Sequence, residues 1–384
     1  MTEVVILSAA RTPLGRRNGW LREIHPVRLG ADALCEALTR AQLDPSLVEH
    51  VIMGCVSQVA EQTFNLARNI VLDAGLPQET PATTIDFQCG SSQQAVHLAA
   101  GLIASGQAEI VVAGGVESMT RVPMGSSLVN GAPFTDRIMQ TYNIVPQGIA
   151  ADEIAQKWGI SRAEVDQIGY DSHLKAAQAQ SNGWLDAEIL PLQGVDDEGR
   201  PFIVNRDQGV RPNASLEKMA ALQPAFGADG VTTAGNSSQI TDGAAALVLT
   251  SRQKAESLGL KPRARLLSMV TVGSDPHLML TGPIEATRKV LSRAGLTRDQ
   301  IDLFEVNEAF ASVIGMWSRE IGAPMSRVNL HGGAIALGHP LGASGARLMT
   351  TLLHALQTHD KRYGLQTMCC GGGMGTGTII ERLP

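Results

Sequence analysis

Ala33-Leu-Cys-Glu-Ala-Leu-Thr-Arg-Ala-Gln-Leu43 returns 253 residues later as Ala286-Thr-Arg-Lys-Val-Leu-Ser-Arg-Ala-Gly-Leu296, with Ala, Leu, Arg, Ala and Leu at equivalent places. Each copy has helical periodicity and is followed by a short acidic turn and an apolar run, Val51 to Met53 in the first and Leu303 to Val306 in the second. Five identities in eleven are suggestive only. Both copies, however, continue alike, through a Gly-flanked turn, a long helical stretch and an apolar strand ending in glycines, Gly114-Gly115 and Gly371-Gly372-Gly373. Self-similarity separated by most of the chain argues for two copies of one α/β unit packed together, not for a solenoid of short repeats.

Outward from these copies, short β-branched runs alternate with amphipathic stretches: Val4 to Leu7, Gly30 to Ala41, His50 to Met53, Ser91 to Ser105, Ile110 to Ala113. That rhythm predicts βαβ units with buried strands. Residues 119–240 differ, with Pro, Asn and Gly turns, one amphipathic pair (Ala150 to Trp158, Arg162 to Gln180) and few strand signals. We therefore expect an N-terminal half over residues 1–118 and 241–265, an inserted loop domain on that half over 119–240, and a C-terminal half over 266–384.

The chain has 384 residues, 44% hydrophobic and 18% charged, which suits a globular protein of two or three packed units. A net charge of −6 leaves no basic surplus for a phosphate backbone, so nucleic acid is not an expected partner. Forty glycines, about a tenth of the chain against a usual share of roughly 7%, cluster in short turns. The five cysteines are an odd number and no secretion signal precedes them, which points to a reducing cytoplasm. No apolar run approaches the roughly 18 residues a membrane span needs.

Three segments carry candidate chemistry. In Thr84-Ile-Asp-Phe-Gln-Cys-Gly-Ser-Ser-Gln-Gln-Ala-Val96, Cys89 sits between an apolar strand and a helix start. Free backbone N–H groups and the positive end of the helix dipole there favour a thiolate. An isolated cysteine more often packs as a small hydrophobe. In Asn329-Leu-His-Gly-Gly-Ala-Ile-Ala-Leu-Gly-His-Pro340, followed by Leu-Gly-Ala-Ser-Gly-Ala-Arg347, His339 lies at the corresponding turn of the second half, and a Cys and a His so placed have the composition of an activated nucleophile. His331 and His97 are read as structural. The third, Gln366-Thr-Met-Cys-Cys-Gly-Gly-Gly-Met-Gly-Thr-Gly377, lacks the Lys-Ser or Lys-Thr of a phosphate loop and the regular Cys or His spacing of a metal site. It fits a glycine-lined backbone that lets a substrate approach a thiol, with free N–H groups as an oxyanion pocket. A weaker fourth, Phe304-Glu-Val-Asn-Glu-Ala-Phe-Ala311, sets Asn307 and Glu308 among apolar neighbours.

Together the four segments resemble the thiolase family, from Ala10-Arg-Thr-Pro-Leu-Gly15 to Ile379-Ile-Glu-Arg382, and the motifs are specific. The resemblance implies duplicated α/β units with mixed sheets sandwiching helices, plus the inserted loop domain. It implies an acyltransferase that cleaves a 3-oxoacyl-CoA with CoA through an acyl-cysteine. Cys89 would be the nucleophile, His339 its base and Cys369, two residues before the first of the three glycines, the second catalytic cysteine. His339 with a water held by Asn307 would form one oxyanion hole, and the N–H groups of Cys89 and Gly371 the other. CoA would be a co-substrate, with no tightly bound cofactor and no metal, held by Arg211, Phe226, Ala234, Ser238 and Phe310. By the same resemblance the protein would be a homo-oligomer, a dimer or tetramer.

Two departures concern the substrate. Val145-Pro-Gln-Gly148 stands where biosynthetic acetoacetyl-CoA thiolases carry His-Met-Gly, and Lys218 where many members have serine. Gln88-Cys-Gly-Ser-Ser-Gln-Gln-Ala95 and Gly15-Arg-Arg-Asn-Gly-Trp20 look like degradative actinobacterial thiolases of β-oxidation, including those of steroid side chains. The alternatives are a biosynthetic acetoacetyl-CoA thiolase, a ketoacyl-synthase-type condensing enzyme, which would use two histidines, and a non-catalytic acyl-CoA or lipid-binding relative, which would have lost one of Cys89, His339 and Cys369. A redox pair at Cys369-Cys370 would need a strained disulfide between neighbours.

Overall fold

The structure is a computed structural model describing residues 2–384. The first half runs β1 (Val4–Arg11), β2 (Gly15–Arg16), α1 (Pro26–Ala41), β3 (His50–Gly54), α2 (Leu66–Asp73), β4 (Ala82–Ile85), α3 (Ser91–Ala104) and β5 (Ile110–Ser118). The middle region holds α4 (Asp136–Tyr142), α5 (Gln147–Lys157), α6 (Arg162–Ser181), β6 (Leu192–Val195), β7 (Pro201–Val204) and α7 (Leu216–Ala220), before β8 (Thr241–Ser251) and α8 (Arg252–Ser257) return to the first half. The second half is β9 (Ala264–Gly273), α9 (Gly282–Ala294), β10 (Leu303–Val306), α10 (Ala311–Ile321), α11 (Ser344–Thr358), β11 (Tyr363–Cys370) and β12 (Met374–Arg382).

The duplication is visible in the strand pairings. One half reads β1-β8-β5-β3-β4, antiparallel twice and then parallel twice; the other reads β9-β12-β11-β10, antiparallel twice and then parallel. Antiparallel pairing of Val5 with Arg265 and Ile6 with Ala264 joins them into one mixed sheet. The offset of 253 persists: α1 ends at Gln42 in the left-handed region (φ 53°) and α9 at Gly295 (φ 64°). At Gly295 that backbone costs nothing, whereas at Gln42 it opposes the Cβ. The boundary expected at 265/266 falls inside β9, which runs unbroken from Ala264.

Side-chain alternation sorts the strands onto two cores. Val5 and Leu7 of β1 and Val112 and Val116 of β5 face α1 and α2 on the outside. Ile6, Val111, Leu247 and Leu249 face inward onto α3 and α11, whose Val96, Ile103, Met349 and Leu353 complete that core. The helices α3 and α11 are thus sandwiched between the halves. They meet near their N-termini: Ala346 N–H donates to Ser92 Oγ (2.8 Å), and a methyl on Gly345 would lie 2.2 Å from the Gln93 nitrogen.

The middle region leaves and re-enters through neighbouring residues, since Ser118 of β5 pairs with Asp242 of β8. The expectation puts it on the first half, yet α5 and α6 pack on α10 of the second, through Ala150, Ile154 and Val165 against Val313 and Met316. Its ties to the first half are apolar, through Leu14 against Ala176, Leu185 and Ile189 and Trp20 against Phe202, and also polar. Buried Arg11 donates to Glu188 (2.6 Å) and in a two-pronged contact to Asp207 (2.7 and 2.9 Å). Removing one member of so buried a set typically costs roughly 3–5 kcal/mol. The β6–β7 hairpin in this region is not foreshadowed by strand signals; its strands are four residues each.

Because the α3–α11 crossing has no room for a side chain at Gly345, Gly345→Ala should destabilise the protein by about 1–3 kcal/mol in urea unfolding. Gly101→Ala, on α3 but with open space around it, should instead gain up to about 1 kcal/mol. Equal stability of the two variants would contradict the packing described.

Candidate active site

Four chain segments converge where α3 and α11 begin. Cys89 stands two residues before α3, in a tight turn: Gln88 is held at φ 51°, its N–H bonded to Asp86 Oδ1 (2.7 Å) and its carbonyl accepting from Ser91 N–H (3.0 Å) and Ser91 Oγ (2.6 Å). A glutamine in this region is strained by about 1 kcal/mol or more. The turn is therefore imposed by its surroundings. Cys89 packs against Leu348 of α11 and Met368 of β11, with Leu341 at the edge of the cluster. This brings the turn after His339 beside the thiol.

His339 does not occupy the strict equivalent of Cys89. The offset of 253 would place the counterpart at residue 342, and His339 precedes it by three, with the one-turn helix Leu341–Ala343 between it and α11. That extra turn has a purpose in the packing. Gly342 N–H donates to Glu117 Oε2 (2.8 Å), and a methyl on Gly115 would meet the Gly342 carbonyl at 2.2 Å. Glu117, buried at the end of β5, also accepts from Val56 N–H (2.9 Å), Ser57 N–H (3.1 Å) and Gln62 Nε2 (2.8 Å). Burial pushes its pKa up while these donors pull it down. Sequence reasoning misses Glu117, since its strand Ile-Val-Val-Ala-Gly-Gly-Val reads as plain core.

The His339 ring is held on both sides. Nδ1 lies 2.5 Å from Ser344 Oγ, which gives its own proton to the Pro340 carbonyl (2.8 Å). Nε2 faces Asn307 Nδ2 at 3.4 Å. With an amide N–H toward Nε2 and a hydroxyl already donating elsewhere, the tautomer that satisfies every atom carries its proton on Nδ1. Nε2 is then the free base. Among the described residues, Asn307 Oδ1 is buried without a partner. Its neighbour Glu308 serves the scaffold: it accepts from Ser172 Oγ (2.6 Å), Asn329 Nδ2 (2.9 Å) and Ile335 N–H (3.2 Å), pinning the segment that leads to His339.

Cys369 and Cys370 end β11, both fully buried. Cys369 belongs to the cluster of Ala150, Leu278, Phe310 and Ile335, on the side of the middle region. Cys370 turns away onto Gly90, where a methyl would meet its sulfur at 2.6 Å. The N–H groups of Gly371 and of Cys89 itself lie close enough to the Cys89 sulfur to favour its thiolate.

The helix start favours a thiolate at Cys89, and burial opposes it. Burial pushes the thiol up to about 12, and the two N–H donors offset only part of that rise, against further opposition from Glu117 and Asp86. Burial, with Arg347 nearby, pulls His339 down to about 3. Burial and the neighbouring Cys89 likewise raise Cys369. Desolvation is the largest influence on all three groups. The free site holds a neutral thiol and a neutral imidazole.

The nominated CoA residues are spread along one path. Arg211 lines an open cleft of about 390 Å³ with His173, Ser215, Lys218, Met219 and Gly235. Ala234 is exposed next to Gly235. Ser238 N–H donates to the Ala309 carbonyl (3.0 Å), and Ser237 bridges to Phe310, which meets Phe226 edge-on at 6.2 Å between centroids. These residues lead from the cleft toward the cluster that contains Cys369.

Family models match most of the chain: "Thiolase, N-terminal domain" over residues 4–253 and "Thiolase, C-terminal domain" over 260–382. The chain is 46% identical to a steroid 3-ketoacyl-CoA thiolase of Mycobacterium tuberculosis over 393 residues, covering 100% of this chain and 95% of the relative. It is 44% identical to a 3-ketoacyl-CoA thiolase of Aliivibrio fischeri, covering 100% of both. Among solved structures, the Bacillus anthracis acetyl-CoA acetyltransferase superposes with a TM-score of 0.92 at 35% identity, covering 100% of this chain and 99% of that one.

With the Cys89 thiol raised by burial to about 12, its thiolate fraction grows tenfold for each unit that the pH rises toward that value. Alkylation of Cys89 by iodoacetamide should therefore keep rising through pH 6–9 without levelling. A plateau reached by pH 8, read by peptide mass spectrometry, would show that the thiolate forms at rest.

Proposed function

The chain belongs to the thiolase family, and from that premise we propose how it works: as an acyl-CoA C-acyltransferase, it cleaves a 3-oxoacyl-CoA with CoA by way of an acyl-enzyme on Cys89. The observation that carries this assignment of roles is Cys89 itself, packed against α11 and β11 with the Gly371 N–H beside its sulfur.

In the first half-reaction the Cys89 proton passes to His339 Nε2 as the sulfur attacks the 3-oxo carbon. Since both partners start neutral, imidazolium and oxyanion arise together and offset each other's desolvation. The Cys89 and Gly371 N–H groups are placed to hold the oxyanion. The C2–C3 bond then breaks, its electron pair leaving on the acetyl-CoA enolate. Cys369 protonates that carbon and becomes a thiolate. His339, with a water on the otherwise unpartnered Asn307 Oδ1, would stabilise the enolate oxygen. In the second half-reaction the Cys369 thiolate takes the proton of CoA, whose sulfur attacks the thioester, and Cys89 leaves and recovers its proton from His339. A cysteine suits this exchange because donor and acceptor are both thiols of similar intrinsic acidity.

CoA would enter along the middle region, its phosphates toward Arg211 and Lys218 and its pantetheine past Ala234 and Ser238 to the Phe226–Phe310 pair. The enzyme acts in the degradative direction, consistent with the 3-ketoacyl-CoA thiolases among its relatives. We further assign it to the cytoplasm as a homo-oligomer, with a homotetramer as the working assembly. No described helix is long and apolar enough to cross a membrane.

Mixing with acetyl-CoA should add one acetyl group to the intact mass of the wild type and none to Cys89→Ala. His339→Asn should lower kcat for thiolysis by roughly 10²–10⁴-fold. An acetyl adduct that persists in Cys89→Ala would remove Cys89 from the role proposed.

A further inference from the structure

Two side chains at the site are used neither by the fold nor by the chemistry above. A methyl group built on Gly371 would lie 3.0 Å from Gln147 Nε2 and 3.1 Å from Gln88 Oε1. Both carboxamides therefore lie against one side of Gly371, the residue whose N–H is beside the Cys89 sulfur. Neither side-chain amide has a hydrogen-bond partner among the described residues, whereas both ends of the Gln93 amide are engaged, with Thr378 and Thr376. Both are half-buried.

Each is also mounted on a fixed support. Gln88 has its backbone pinned by Asp86 and Ser91 in the left-handed region. Gln147 is the first residue of α5, whose Ala150, Ala151 and Ile154 are buried against the second half. The entropy of ordering these side chains is thus partly met before anything binds. A polar pair beside a buried nucleophile is a poor lining for a plain alkyl chain, which would take water from both amides and return no hydrogen bond.

We propose that Gln88 and Gln147 form a specificity site for 3-oxoacyl-CoAs whose transferred acyl group carries a hydroxyl two or three carbons beyond the scissile carbonyl. One amide presents an acceptor and the other a donor, and exchanging oxygen for nitrogen on both leaves one of each. A hydroxyl both gives and takes a hydrogen bond and so answers the pair, a ketone answers only the donor, and a methylene neither. The inference rests on the acyl-enzyme at Cys89, because that bond places the acyl chain in front of Gly371.

The test compares thiolysis of 5-hydroxy-3-oxohexanoyl-CoA with that of 3-oxohexanoyl-CoA by the whole protein. The wild type should favour the hydroxylated substrate by about tenfold or more in kcat/KM, the worth of one to two hydrogen bonds. Gln147→Leu and Gln88→Leu should each bring the ratio toward one, through loss on the hydroxylated substrate. Because the ratio is taken within one enzyme sample, a partly unfolded variant does not distort it. Equal kcat/KM for the two substrates in the wild type overturns the inference while leaving thiolysis intact. So does a preference that survives both substitutions, or one in which they raise KM for CoA equally with either substrate, which would assign the amides to pantetheine. No turnover of either substrate by the wild type overturns both this inference and the activity beneath it.

Discussion

Everything at the site depends on how closely α3 and α11 approach at their N-terminal ends. Gly345 lies against the Gln93 backbone, and Ala346 donates to Ser92. The same closeness recurs around it, where Gly115 faces the Gly342 carbonyl and Gly90 faces the Cys370 sulfur. Three glycines at three contacts let two helices, two strands and a turn share a volume that ordinary side chains would fill. Cys89 and His339 belong to opposite halves, and this packing is what brings their turns together. The glycines of the chain, conspicuous in its composition, serve proximity here more than flexibility.

A low-dielectric junction then dictates the form of the chemistry. Buried thiols and imidazoles rest uncharged, so a step that separates charge must create both signs at once and next to fixed dipoles. The Gly371 and Cys89 N–H groups and the Asn307 amide are already oriented by backbone and strand. Burial favours a thiol over a thiolate at Cys89.

Much of this is legible in the order of the amino acids. The copies at Ala33 and Ala286 give away the duplication because Ala, Leu, Arg, Ala and Leu recur at equivalent places ahead of the same kind of turn. Cys89, His339 and Cys369 stand out because each interrupts an otherwise apolar or glycine-rich run. What escapes is what depends on distant partners. Glu117 looks like the end of a core strand until residues 56, 57, 62 and 342 supply its donors. Arg11 gives no hint of Glu188 and Asp207, nearly two hundred residues on. The burial that raises the Cys89 thiol escapes for a related reason: a helix terminus is visible in sequence, whereas the depth of burial around it is not. The three-residue displacement of His339 shows that the copies are equivalent as scaffolds and not residue by residue as sites.

The pairing of β12 with β9, and of β9 with β1, has a bearing on how the molecule comes into being. The nucleophile emerges early in synthesis, but the N–H that holds its sulfur belongs to residue 371, and the strand that seats that loop runs to residue 382. Nearly the whole polypeptide must leave the ribosome before the acylation chemistry has a place to happen. Contacts spanning such separations close slowly. In the interval the central helices α3 and α11 have lost neither their apolar faces nor their need of cover, so the growing chain is most exposed to misassociation just before it becomes an enzyme.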